Sequence, residues 1–226
     1  MVIKMSELKK SILITAISFV AFIILIILLK TVDVKDIYDA KEVGLAGFNK
    51  TYYKPYNKTI DIISDVIFYL VIAFNVFLIV LAAMKMAKAK SIKIDAKFYI
   101  YFGLLALAIV LWLVFDKVLE INTRPNIIDG KIEGSFPSTH VFVTTYIMLA
   151  SPYLFLKMEG NDSNKLDLEG VITIIFMVIM CAMVLLRLYA GVHWITDCIG
   201  GVILGIFLYG LFYLFTNLIK SKKSQE

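Results

Sequence analysis

The sequence predicts an all-α integral membrane protein, a bundle of six transmembrane helices forming one domain over residues 1–226. Composition is the first reason. The chain is 60% hydrophobic with a mean hydropathy of +0.85, whereas a soluble domain is roughly 45–50% apolar. The second reason is pattern. Six apolar stretches, none with a charged residue, are each about as long as the roughly 20 residues a bilayer demands. The third is backbone chemistry: an open strand in lipid leaves its N–H and C=O groups unpaired, so each stretch is read as a helix. No repeat, low-complexity run or long linker divides the chain.

The first stretch, Ser11–Leu29, follows Lys4, Lys9 and Lys10 as a signal sequence would. Its 19 apolar residues exceed a signal core, and Lys30-Thr31-Val32-Asp33 offers no small-x-small cleavage site. It is read as a retained span. A long loop, Lys30–Asp65, follows, with Tyr52, Tyr53 and Tyr56 around Pro55. Such a mixture suits an amphipathic segment with aromatics at headgroup depth; a lid over a lipid site is the other reading. Val66–Met84 is the second span. The loop Lys85–Lys97 then carries five lysines against the single acid Asp95. By the positive-inside rule this loop and both termini are expected in the cytoplasm.

Phe98–Phe115, Val141–Leu156, Val171–Leu186 and Ile199–Ile219 complete the six spans. Gly201 and Gly205 make a small-xxx-small pair in the last, suited to close helix packing. Cys181 and Cys198 sit in or beside spans with no metal-ligand spacing and read as small buried hydrophobes. The net charge of +5 comes from lysines scattered over loops and tails. They are topology determinants, and no nucleic-acid partner is expected.

Of 23 lysines and arginines only Arg124 and Arg187 are arginine, and His140 and His193 are the only two histidines. Arginine is kept where a planar fork must grip a phosphate or carboxylate. Histidine trades protons near neutral pH. These rare residues form three clusters. Lys117 to Arg124-Pro125 follows span three; Pro137-Ser138-Thr139-His140 opens span four; Arg187, His193 and Asp197 bridge spans five and six. Six spans place all three clusters on the non-cytoplasmic face.

Lys117, Arg124 and Arg187 together could neutralise a dianionic phosphate and the charge that builds on it during transfer. Alone, each could snorkel to the headgroups. Pro137-Ser138 is a good helix start, with Ser138 as cap and an anion-favouring N-terminus behind it. His140 lies in that first turn. His193 and Asp197 are four apart, one helical face, so Asp197 could accept the Nδ1–H of His193 and leave Nε2 as nucleophile or base.

The spacings Lys117-x6-Arg124-Pro125, Pro137-Ser138-Thr139-His140 and Arg187-x5-His193-x3-Asp197 resemble, in order, the three signatures of the type 2 phosphatidic acid phosphatase (PAP2) superfamily, in its membrane lipid phosphatase branch. The resemblance covers residues 117–197. It implies that His193 attacks phosphorus to form a phosphohistidine, that Asp197 orients it and that His140 protonates the leaving oxygen. It implies that Lys117, Arg124, Ser138, Thr139 and Arg187 hold the phosphate. It implies no metal and no other cofactor, and the sequence has no carboxylate cluster of the two-metal kind. Two positions depart from the family pattern. Thr139 stands where glycine is usual, and a β-branched residue crowds a phosphate. Leu186 stands where serine is frequent.

The implied partners are a lipid phosphate substrate and the bilayer; the oligomeric state is left open. The implied substrates are undecaprenyl pyrophosphate, phosphatidic acid and phosphatidylglycerol phosphate. The Lys/Ile-rich, Arg-poor composition looks bacterial, and an outward-facing site there favours the polyprenyl pyrophosphate. Two other functions fit the same residues. One is a protein that binds or moves phospholipid without cleaving it, with Thr139 marking lost catalysis. The other is vanadate-dependent redox chemistry, which a short membrane chain disfavours.

Overall fold

A computed structural model describes residues 2–38, 41–89, 96–155 and 165–222. The centre of the lysine-rich loop (90–95), Asp39, Lys157 and Lys223 lie outside the described residues. The order of elements is α1 (Val2–Thr31), β1 (Lys35–Tyr38), β2 (Lys41–Val43), α2 (Ala46–Thr51), α3 (Lys58–Ala89), α4 (Ala96–Val114), α5 (Thr139–Phe155), α6 (Lys165–Tyr189) and α7 (Ile195–Lys222). A π-helical turn, Phe115–Leu119, extends α4.

The described residues are mostly helix, and among them five helices are long and apolar enough to cross a membrane: those containing Glu7–Thr31, Lys58–Met84, Ala96–Leu119, Gly170–Tyr189 and Ile195–Lys222. The expected fourth span begins where predicted, but α5 is 17 residues long and ends at Phe155, where the described residues stop. The outer helices α1, α3, α4 and α6 leave large apolar side chains exposed, among them Ile17, Phe77, Ile109 and Val178. In water such a surface would associate; in a bilayer it is the lipid-facing side.

Helix α7 is the central element, packed against α1, α4, α5 and α6. Glycine is what lets α5 come so close. A Cβ on Gly201 would stand 2.9 Å from Ser138 O, and one on Gly205 would stand 2.5 Å from Thr145 Cβ. The small-xxx-small pair therefore packs as the sequence indicates. Gly200, with no role evident from sequence, lies against the Phe136 ring. That ring stacks on Phe22 at 5.8 Å and meets Phe115 edge-on at 6.1 Å, joining α1, α4 and the loop before α5. Glu7 of α1 accepts a hydrogen bond from Tyr213 of α7, so the start of α1 and the end of α7 lie at one end of the bundle. The start of α7 lies at the other end.

The first loop departs from expectation. It is shorter than Lys30–Asp65, because α3 already begins at Lys58 and takes in Asp61 and Asp65. It also carries secondary structure of its own. β1 and β2 pair antiparallel, with Lys35 opposite Val43. Its far end is tied to the loop before α5: Tyr53 Oη donates to Asn126 Oδ1 at 2.8 Å, and Tyr38 Oη donates to Pro125 O at 2.9 Å. Asn126 Nδ2 in turn donates to Lys54 O and Gly191 O. Gly191 has φ 71°, and a Cβ there would stand 2.6 Å from Pro55 O. Only glycine combines that left-handed turn with so close a crossing. The segment is a brace across the end of the bundle.

Candidate active site

Six of the eight residues singled out in the sequence line one cavity of about 680 Å³: Lys117, Arg124, Thr139, His140, Arg187 and His193. The other two, Ser138 and Asp197, are fully buried behind its wall. Away from these polar groups the same cavity runs between α3 and α4, past Ile72, Ile79, Leu105 and Trp112. It therefore joins a cationic end to an apolar channel.

Each side chain is placed by a helix end or by the loop between α4 and α5. Arg187 sits in the last turn of α6. Its NH1 donates to Asp61 Oδ1 at 2.8 Å, Ser64 Oγ at 2.9 Å and Asp65 Oδ1 at 3.3 Å, all on α3. Its Nε is buried with no partner. Arg124 pairs with Glu133 Oε2 at 3.1 Å, and its Nε too is buried without a partner. Two guanidinium edges are thus left free to donate. Lys117 differs: it is largely exposed on the π-helical turn and bonds Asp116 Oδ2 at 2.7 Å.

His193 and Asp197 do not share a helical face as the spacing suggested. α7 begins at Ile195, so His193 lies in the preceding turn. Asp197 is the third residue of α7, and its Oδ2 accepts the main-chain N–H of Trp194 at 2.9 Å, half of a capping box. Its Oδ1 accepts from Asn122 Nδ2 at 2.9 Å. With both oxygens engaged, Asp197 lies 3.7 Å from His193 Nδ1, beyond hydrogen-bond reach. That nitrogen is buried with no partner. Burial holds the His193 imidazole well below its ordinary pKa, and the Arg187 and Arg124 charges add to the effect. His193 is therefore neutral with a free lone pair.

Ser138 does not cap with its side chain either; its Oγ is buried and unpartnered. Its main-chain N–H donates to Asp197 O at 3.1 Å, which joins the starts of α5 and α7. Thr139 is the first residue of α5 and is not among the positive-φ residues, Asp33, Leu45, Glu120 and Asp129. Glycine's special backbone range is not required at this position. His140 Nε2 lies 3.0 Å from Asp65 Oδ1, and its ring packs on Phe68 at 4.2 Å between centroids.

Sequence reasoning missed Asp61, Ser64 and Asp65. Their signal was available: two acids four apart in the first turns of a helix whose next charged residue is Lys85. It also missed Asn122, which sits two residues before Arg124. Asn122 is fully buried, donates to Asp197 and accepts the N–H of Gly44 at 3.1 Å. A lone Asn in a loop carries no pattern that could have disclosed this.

Two histidines, two arginines and a buried carboxylate gather at one end of an apolar helical bundle, in a protein with the helices of a membrane protein. The comparisons with known proteins say which kind. The family model of the PAP2 superfamily matches residues 75–220, and the chain belongs to that superfamily of phosphatases. Two solved structures resemble it. One is a transmembrane PAP2-type phosphatidylglycerolphosphate phosphatase from Bacillus subtilis, with 21% identity, 93% of this chain and 96% of that one covered, and a TM-score of 0.57. The other is LpxE of Aquifex aeolicus, with 17% identity, 78% and 94% covered, and a TM-score of 0.42. No curated protein sequence matches the chain.

Proposed function

We propose that this protein is a metal-independent lipid phosphatase of six transmembrane spans. Its termini are cytoplasmic and its site faces the outer leaflet, where it removes a phosphate from a lipid (pyro)phosphate through a phosphohistidine. The observation that carries this is the single cavity in which His140, Arg187 and His193 meet an apolar channel between α3 and α4. A headgroup at the polar end would leave its tail in the channel. The first substrate is undecaprenyl pyrophosphate; phosphatidic acid and phosphatidylglycerol phosphate are the alternatives.

The residues divide the work as follows. The free edges of Arg187 and Arg124, with Ser138 Oγ and the start of α5 at Thr139, donate to the phosphate oxygens. Lys117, at the mouth, adds charge. His193 Nε2 gives its lone pair to phosphorus, and the bond to the leaving oxygen breaks with its electron pair on that oxygen. His140 supplies the proton. Water then attacks the phosphohistidine and gives a proton to His140. The N–P bond breaks, inorganic phosphate leaves and the electron pair returns to His193. Asp197 orients His193 as a buried charge and as the anchor of the turn that carries it, rather than by a direct hydrogen bond.

The test is phosphate release from undecaprenyl pyrophosphate and phosphatidic acid by detergent-purified protein in EDTA, beside His193→Ala. Metal-independent release that vanishes in the variant is expected, with the pyrophosphate preferred. Release from neither lipid by folded protein would sink the proposal.

A further inference from the structure

The three sequence motifs contain no partner for His140; the structure supplies one from α3. Asp65 Oδ1 is 3.0 Å from His140 Nε2 and 3.3 Å from Arg187 NH1. Phe68, three residues further along α3, packs on the same imidazole at 4.2 Å between centroids. Positions three apart lie on one helical face. One face of α3 therefore holds the ring at an edge and on its plane. Asp61, one turn earlier, holds Arg187 NH1 at 2.8 Å.

We propose that Asp65 is a positioning residue for the proton donor: its carboxylate fixes His140 through Nε2–H and keeps the ring doubly protonated, so that Nδ1–H is presented to the leaving oxygen. This rests on the reading of His140 as the acid of a phosphohistidine reaction.

An imidazole can give up a proton and keep an N–H only if it starts with both. The neighbourhood opposes that state. Burial of the ring is the largest influence, and Arg187 from α6, His193 from the turn before α7 and Arg124 from the loop after α4 add to it, since each carries or can carry positive charge. Asp61 and Asp65 of α3 are the opposing carboxylates, and among the described residues Asp65 is the one in contact with the ring. A carboxylate at hydrogen-bond distance favours the charged imidazolium. The carboxylate also survives the transfer as an acceptor. When the P–O bond breaks and the Nδ1 proton moves to the lipid oxygen, a neutral imidazole remains, still donating Nε2–H to Asp65. The water of the second step restores the lost proton.

The role predicts a dependence on the leaving group. A lipid alkoxide needs a proton to depart; 4-nitrophenolate does not. We would measure kcat/KM for phosphatidic acid and 4-nitrophenyl phosphate from about pH 5 to about pH 9, the range in which a histidine acid titrates. The proteins are the wild type, Asp65→Asn, Asp65→Glu and His193→Ala. Asp65→Asn should lose about 10- to 100-fold on the alkyl substrate, part of what general acid catalysis contributes, and at least about tenfold less than that on the aryl one. An acid works while protonated, so its loss of charge support should move the alkaline limb down by about one pH unit or more. Asp65→Glu should recover part of the alkyl activity.

Equal losses on both substrates, or an unmoved alkaline limb, would overturn the proposal. Should Asp65→Asn fail to fold, Asp65→Glu carries the test. Displacing the carboxylate by a methylene should steepen the dependence of rate on leaving-group basicity, and an unchanged slope overturns the idea. Failure of the underlying reading looks different: wild-type protein releasing phosphate from neither undecaprenyl pyrophosphate nor phosphatidic acid, or His193→Ala keeping its activity.

Discussion

Asn122 Nδ2 donates to Asp197 Oδ1 at 2.9 Å, and with the Trp194 N–H it occupies the carboxylate that the sequence assigned to His193. Asp197 is fully buried, so its charge depends on these donors. Asn122→Ala removes one of them. It should lower stability by about 1–3 kcal/mol, the cost of stranding a buried acceptor, and should slow phosphate release. A thermal unfolding scan in detergent beside a turnover assay checks both.

His193→Ala should leave the fold intact and reduce phosphate release by at least about a thousandfold, since a covalent mechanism has no substitute nucleophile. An acid-quench search for phosphohistidine on wild-type protein, absent from the variant, is the direct check.

The pH profile should place the acid limb of kcat/KM below about pH 6.5, the ordinary histidine value. His193 acts only when neutral. Burial and the two arginines lower its pKa, so it stays neutral to more acidic pH than a free imidazole. The same shift bears on stability. Below the unfolded value the unfolded chain takes up the proton first, so stability is full above it and falls as pH drops. Denaturant titrations at several pH values measure this.

Arg187→Lys should cost at least about a hundredfold in turnover, the scale of losing one donor that stabilises transition-state charge. A single ammonium cannot both bond the α3 carboxylates and present a second edge, as NH1 and Nε do here. Lys117→Ala should cost under about tenfold, because Lys117 is exposed and already paired with Asp116.

Gly205→Ala should destabilise the bundle by about 1–3 kcal/mol through overpacking, because the new methyl would meet Thr145 Cβ at 2.5 Å. Thermal unfolding reports the loss. Turnover should fall with it, since α5 and α7 carry His140 and Asp197.

Hydropathy alone disclosed the helical membrane architecture, because lipid leaves a chain few options for its backbone. Five helices satisfy the length and composition of a span, and the remaining stretch begins where expected. The rarity and spacing of Arg124, His140, Arg187 and His193 disclosed that they belong together, and one cavity contains all four. What spacing could not decide is orientation at a helix boundary. His193 and Asp197 are four apart, yet the helix starts between them, so capping geometry gave the carboxylate to Trp194 and Asn122. Nor could local pattern reach contacts between distant segments. Asp65 meets His140 across 75 residues and Arg187 across 122. Asp65 also stands in what reads locally as the end of a loop. Only the packing of α3 against α5 and α6 places its carboxylates in the site. The cluster was legible because arginine and histidine are scarce in this chain. Its supporting partners are common acids and amides, and only the folded chain selects among them.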